Sequence, residues 1–226
     1  MNQDMIDVIR TLLSGRQYVF SLFHSILGAE PTRAMLEAAS SEESMQAISL
    51  FDSEDNGAAK ALQAALLPCR GLDDAAADRI RMEYTRLFLG PEDLPAPPWE
   101  SVYMTKERAI FQESMLIIRS WFQKYGYLPA GYPNFPDDHI SLLVHFIELT
   151  CGVALERLQA GSMAQLRETL RDQKSFEEKH MLNWFPRYTE DMKGSDGVFY
   201  PVFAAAMTDF VAQDVQLIDE MLGCLA

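Results

Sequence analysis

The chain has 226 residues, 48% of them hydrophobic, which excludes a disordered segment and allows a large core in one domain or two closely packed subdomains. Its 19 Lys and Arg stand against 33 Asp and Glu, a net charge of −14, which argues against nucleic acid as a partner and suits a basic one. Three distant cysteines, Cys69, Cys151 and Cys224, form no CxxC pair and support neither a zinc knuckle nor a disulfide framework.

In chain order, apolar residues at Ile6, Ile9, Leu13, Phe20, Phe23 and Leu27 predict a long first helix whose stripe only Arg16 interrupts. Gly28 ends it and Pro31 suits the first turn of the next. Ser40 with Glu43 reads as a capping box for a short helix to about Leu50. After a loop over 52–57, Ala58 to Leu67 reads as helix, stopped by Pro68. Asp73 or Asp74 then caps a helix into Phe88, which stops at Gly90-Pro91.

Beyond it stand Pro91, Pro95, Pro97 and Pro98, then Trp99 and Tyr103. Proline fixes φ and removes a donor, so residues 90–103 read as a stiff extended loop, neither helix nor central strand. Thr105 is a candidate N-cap for a helix with the stripe Phe111, Met115, Ile118, Phe122 and Tyr125, closed by Gly126. Residues 126–136 are rich in Pro, Gly and aromatic rings and read as a hinge. A helix follows from about Asp137 to Ala160, closed by Gly161. Pro136, Asp137 and Asp138 suit its first turn and its dipole. Ser162 with Gln165 opens the next helix towards Trp184, broken by Pro186. A turn at Gly194 to Gly197 precedes a last helix with Phe199, Phe203, Ala206, Phe210, Leu217 and Met221 on one face.

No strand pattern emerges, so the expected fold is all-α: about ten helices in two packed subdomains, 1–125 and 137–226, joined by the hinge at 126–136. The most apolar stretch, Ile140 to Leu155, contains His145 and Glu148 and does not read as membrane-spanning. The first residues carry acids where an export signal needs basic groups, so the chain reads as cytoplasmic.

Catalytic motifs are missing: there is no GxGxxG, GxxxxGK[ST] or GxSxG. Glu177 and His180 form one ExxH pair, the spacing found in helical metal-carboxylate enzymes, but no second pair exists to complete such a site. A metal-carboxylate enzyme built on these two residues is the alternative to a binding protein without cofactors.

Two stretches, E-Y-T-R-L-F-L-G-P at 83–91 and P-A-P-P-W-E-S-V-Y at 95–103, together with P-D-D-H at 136–139, closely resemble the TorD/DmsD family of maturation chaperones for molybdenum-cofactor enzymes. A weaker echo is the H-x-x-x-W-x-P of His180, Trp184 and Pro186. Two departures stand out: Phe135 occupies a position usually held by Glu, and Tyr103 replaces a tryptophan common in one branch.

The resemblance implies a cytoplasmic chaperone, not an enzyme. It would bind the twin-arginine leader and the core of a molybdoenzyme of the dimethyl sulfoxide or trimethylamine N-oxide reductase type before export. It implies apolar leader contacts from Leu87, Phe88, Pro97, Pro98, Trp99 and Tyr103, and polar ones from Asp138 and His139, with Asp138 meeting an arginine. A monomer or a domain-swapped dimer is compatible with the hinge. Guanine-nucleotide binding is proposed for the family, but this chain has no phosphate loop.

Overall fold

The apolar periodicities do fold as helices. The computed structural model describes residues 3–53, 56–90, 93–104, 113–130 and 135–225, with 113 and 114 as backbone only, and among them it contains helices and no β-strand. Pro91, Thr105, Phe111 and residues 131–134 of the expected hinge lie outside the described residues.

The helices are α1 (Gln3–Gly28), α2 (Arg33–Ala39), α3 (Glu42–Ser49), α4 (Ala58–Leu66), α5 (Asp74–Tyr84), α6 (Glu100–Met104), α7 (Glu113–Lys124), α8 (Ile140–Gln159), α9 (Met163–His180), α10 (Phe185–Lys193) and α11 (Tyr200–Cys224). α1 lies along α8, α8 packs on α9, and α11 packs on α4, α10 and α9. The main hydrophobic cluster joins Phe20 and Phe23 of α1 to Ile140 and Phe146 of α8 and to Phe203 and Phe210 of α11. A smaller cluster at the other end joins Ile9 and Leu13 to Leu158, Leu166 and Ile218. Both clusters take residues from either side of the 126–136 stretch.

Several local expectations shift. Ser41, not Ser40, caps α3, accepting from the Ser44 N–H at 3.2 Å, because Ser40 closes α2 as its C-cap, its N–H bonded to the Leu36 and Glu37 carbonyls. Thr32, not Pro31, opens α2. Asp73 caps α5, accepting from the Ala76 N–H at 2.7 Å. That helix ends at Tyr84 and continues to Leu89 as one wide π turn. Pro186 sits in the first turn of α10, where its missing N–H costs nothing. Gly126 and Gly161 end their helices at φ 67° and 69°, a region open to glycine.

The Pro-rich loop differs most. Residues 100–104 form a helical turn instead of extended chain. The prolines end at Pro98, so nothing bars helix after it, and a side chain from elsewhere supplies the cap. That side chain is Asp138. α8 begins only at Ile140, so Asp137 and Asp138 do not serve its first turn.

Candidate functional site

Three of the sequence stretches converge at the start of α8. Trp99 and His139 face each other in an isolated antiparallel bridge, with the Ile140 N–H donating to Pro98 O (2.9 Å) and the Glu100 N–H to Asp138 O (3.2 Å). Asp138 is fully buried and its Oδ2 accepts from the Ser101 N–H at 2.8 Å, capping α6. Burial raises its pKa, and the hydrogen bonds from Ser101 pull the other way. Asp137, equally buried, pairs with Arg119 at 2.6 Å.

His139 is the cap of α8: its Nδ1 accepts from the Ser141 N–H at 3.2 Å, with the Ser141 hydroxyl 2.7 Å away. That role needs the neutral ring. Burial, and then the nearby His24, push its pKa down to about 3. His24 from α1 stacks on His145 at 4.0 Å and contacts Ser141 O through Nδ1 at 3.0 Å, so three of the chain's four histidines gather here. Phe135, at the position where the family usually has Glu, lies against His139 at 5.1 Å with 38% of its surface exposed.

The third stretch lies beneath α6. Glu100 is buried and bonded to His180 Nδ1 (3.1 and 3.2 Å), with its pKa raised by burial and lowered again by that histidine. The Trp184 indole donates to His180 O at 2.7 Å, and Tyr103 stacks on Trp184 at 5.2 Å. The H-x-x-x-W-x-P stretch is therefore the floor under α6.

Glu177 and His180 consequently do not act as a metal pair. His180 is engaged by Glu100, while Glu177 lies in the core 3.4 Å from Arg16. No group of three or more His, Cys, Asp or Glu among the described residues has metal-binding geometry.

The π turn organises a second contact. Glu83 reaches the start of α11, where its carboxylate accepts from the N–H groups of Val198 (2.9 Å), Phe199 (3.0 Å) and Tyr200 (2.8 Å), donors that a helix N-terminus leaves without partners. Arg86 pairs with Asp196 in the same turn. Gly197 is required there: a Cβ would lie 2.8 Å from Glu83 Oε1 and 2.9 Å from Pro201 Cδ. Leu87 and Phe88 point into the core, Phe88 stacked on Tyr84 at 4.7 Å.

A cleft of about 820 Å³ opens between the π turn, the Pro-rich loop and this 196–198 turn, lined by Met82, Arg86, Gly90, Asp93, Pro95 and Val198 among others. Met82 and Val198 are 69% and 80% exposed. Of the residues singled out from the sequence, Leu87, Phe88, Pro98, Tyr103, Asp138 and His139 are buried, while Pro97 and Trp99 reach the surface in part. The Trp99 indole N–H is buried and has no hydrogen-bond partner among the described residues. Glu83, Glu100 and His180 were not expected in these roles, since nothing within a few residues of each marks its distant partner.

Residues 49–190 match the family model described as nitrate reductase delta subunit. A Haemophilus influenzae protein named Tat proofreading chaperone DmsD is 29% identical over 134 residues, 59% of this chain and 59% of that one. The Salmonella typhi protein of that name is 39% identical over 61 residues, 27% of this chain and 30% of its own. The matches thus span less than two thirds of these two relatives. The chaperone protein TorD of Aliivibrio fischeri is 25% identical over 206 residues, 90% of this chain and 94% of that one. A solved structure from Archaeoglobus fulgidus, described as a redox enzyme maturation protein, is 22% identical over 87% of this chain and 93% of that one, at a TM-score of 0.48. None of the helices among the described residues is long and apolar enough to cross a membrane.

Proposed function

The chain belongs to the nitrate reductase delta subunit family and, within it, to the TorD/DmsD chaperones, and from that premise we propose that it binds the twin-arginine leader and the catalytic subunit of a molybdoenzyme precursor. It acts in the cytoplasm by holding the precursor through cofactor insertion and carries out no reaction itself. The observation that carries this reading is the cleft of about 820 Å³ with the Pro-rich loop as one wall. Such a leader is basic at one end and apolar in the middle, and it meets an acidic chain with exposed Met82 and Val198 beside a stiff, preorganised loop.

Pro97 and Trp99, both partly exposed, supply apolar contact from the loop. Leu87, Phe88, Pro98, Tyr103, Asp138 and His139 hold that loop and the π turn in shape from beneath. Titration of a synthetic twin-arginine leader tests the reading. Trp99→Ala weakens binding by about 1–3 kcal/mol, as an aromatic hot spot does, with the fold intact. Loss of thermal stability with normal binding would make Trp99 a core plug instead.

A further inference from the structure

The cleft does not stop at the 196–198 turn. On its far side lies a second cavity of about 320 Å³, between α4, α5 and the start of α11. The two share Arg79, Glu83 and Val198 in their linings. The second is walled by Ala64, Ala65 and Ala76, small residues that let a helix approach closely, and by Val202, 55% exposed. Val198 and Val202 thus stand on a run of apolar surface that the fold leaves uncovered.

The charges along this run are ordered. Arg79, where the cavities meet, is exposed and has no ion-pair partner among the described residues, while Arg86 is matched by Asp196. The Glu83 carboxylate is occupied by three backbone N–H groups. Asp93, exposed, stands only at the Pro-rich end. An occupant with cations over Arg79 is repelled, and one with cations near Asp93 is attracted.

Resting on the leader-binding reading, we propose that the two cavities form one groove. It receives the apolar stretch of the twin-arginine leader as a helix across Arg79 and Val202, with the arginines at the Asp93 end. Helix-in-groove recognition lays the apolar face of a helix into a hydrophobic groove, and here Ala64, Ala65 and Ala76 leave room for it beside Val198 and Val202.

Three titrations test it, each with circular dichroism to confirm an intact fold. The double variant Val198→Gln/Val202→Gln binds the leader about tenfold more weakly, and a leader with both arginines changed to Gln loses the same factor between wild type and variant. A leader with a lysine in its apolar stretch loses more affinity for wild type than for Arg79→Gln. Unchanged leader affinity in the double variant would overturn the groove while leaving leader binding in place. No leader binding by the wild type would overturn both. Concentration-dependent self-association lost in the double variant, with leader affinity unchanged, would give the groove to a second copy of the chain and overturn the proposal.

Discussion

Around Arg16, four helices bring a guanidinium, two carboxylates, an amide and a hydroxyl into the buried core, whereas around Asp138 two extended segments bring theirs together beneath the surface. Arg16 of α1 pairs through two of its nitrogens with Asp214 of α11 (2.7 and 2.8 Å), donates to Gln173 Oε1 (2.7 Å) and reaches Glu177 Oε1 at 3.4 Å, both on α9. Gln173 in turn donates to Thr150 of α8 at 3.1 Å. Burial opposes the charge on Arg16, but its acidic neighbours, Asp214 foremost, more than reverse it, so its pKa is raised. Burial, reinforced by Asp214, pushes the Glu177 pKa well up despite Arg16. At the Asp138 junction the indole N–H of Trp99 and one oxygen each of Asp137 and Asp138 have no partner among the described residues. Glu177 Oε2 is likewise without a partner in the first region, so the two differ in what they join: four helices in the first, two extended segments in the second.

Arg16→Met would break the first region most severely. It strands Asp214 in a fully buried site, and losing one partner of a buried pair costs about 3–5 kcal/mol. Arg16→Lys recovers little, because an ammonium cannot match the two-pronged contact. Urea unfolding measures both. A loss under about 1 kcal/mol for Arg16→Met would mean that water reaches the cluster and that it does not join the helices.

The sequence showed this region only as an arginine in the middle of an apolar stripe. The helices themselves were legible because their signals are local: apolar spacing by three and four, Asp73 as a cap, Gly126 and Gly161 as stops. The partners of Arg16 and Glu83 were not, because Asp214 lies 198 residues from Arg16 and the Phe199 N–H 116 from Glu83. The same holds at the site. The Pro-rich loop and P-D-D-H were visible as a pair of unusual stretches. Yet Asp138 looked like a cap for its own helix, since nothing in sequence says that Ser101 has a free N–H facing it.

Acidification sharpens the comparison from the other side. His139 and His145 sit at about 3 and about 4, below the ordinary 6.5, because burial disfavours the imidazolium and His24 adds like charge. Depressed values of this kind give stability that is whole above pH 6.5 and drains away as pH falls from there. For His139 the loss between pH 7 and 5 is about 2 kcal/mol. The groups facing this cluster are His24 of α1, and Tyr127 and Glu148 beside His145. Asp138 and Glu100, with raised pKa values, act in the opposite sense, since protonation relieves the cost of their buried charge. His139→Asn keeps a capping acceptor and flattens the decline in melting temperature between pH 7 and 5. An unchanged slope would move the pH sensitivity elsewhere.

A smaller effect is expected where the π turn meets α11. Glu83→Gln keeps the shape of the cap but removes the charge that three N–H groups and a helix dipole favour, at a cost of about 1–2 kcal/mol. The change should also loosen Val198 and so weaken leader binding. Gly197→Ala, which forces the same carboxylate aside, is expected to reproduce it. Amide hydrogen exchange at 198–200 reads the effect directly, and full protection in Glu83→Gln would rule out the cap as its source.

Asp138→Asn should have the smallest effect, and it separates the two uses to which this carboxylate can be put. A leader arginine seeking Asp138 would have to reach a fully buried side chain whose Oδ2 already accepts from the Ser101 N–H. An amide oxygen can accept the same bond, and it does so without the cost of a buried charge, which already raises the Asp138 pKa. Stability is therefore expected to change by under about 0.5 kcal/mol. Leader affinity should keep its salt dependence, because no exposed charge has been removed. Asp138→Ala differs: it strips the cap from α6, frees the Trp99 bridge and weakens binding through the loop. If Asp138→Asn instead flattened the salt dependence of leader titration, the carboxylate would have to turn out to meet the arginine. The junction would then be a mobile binding element, not a fixed support for Trp99.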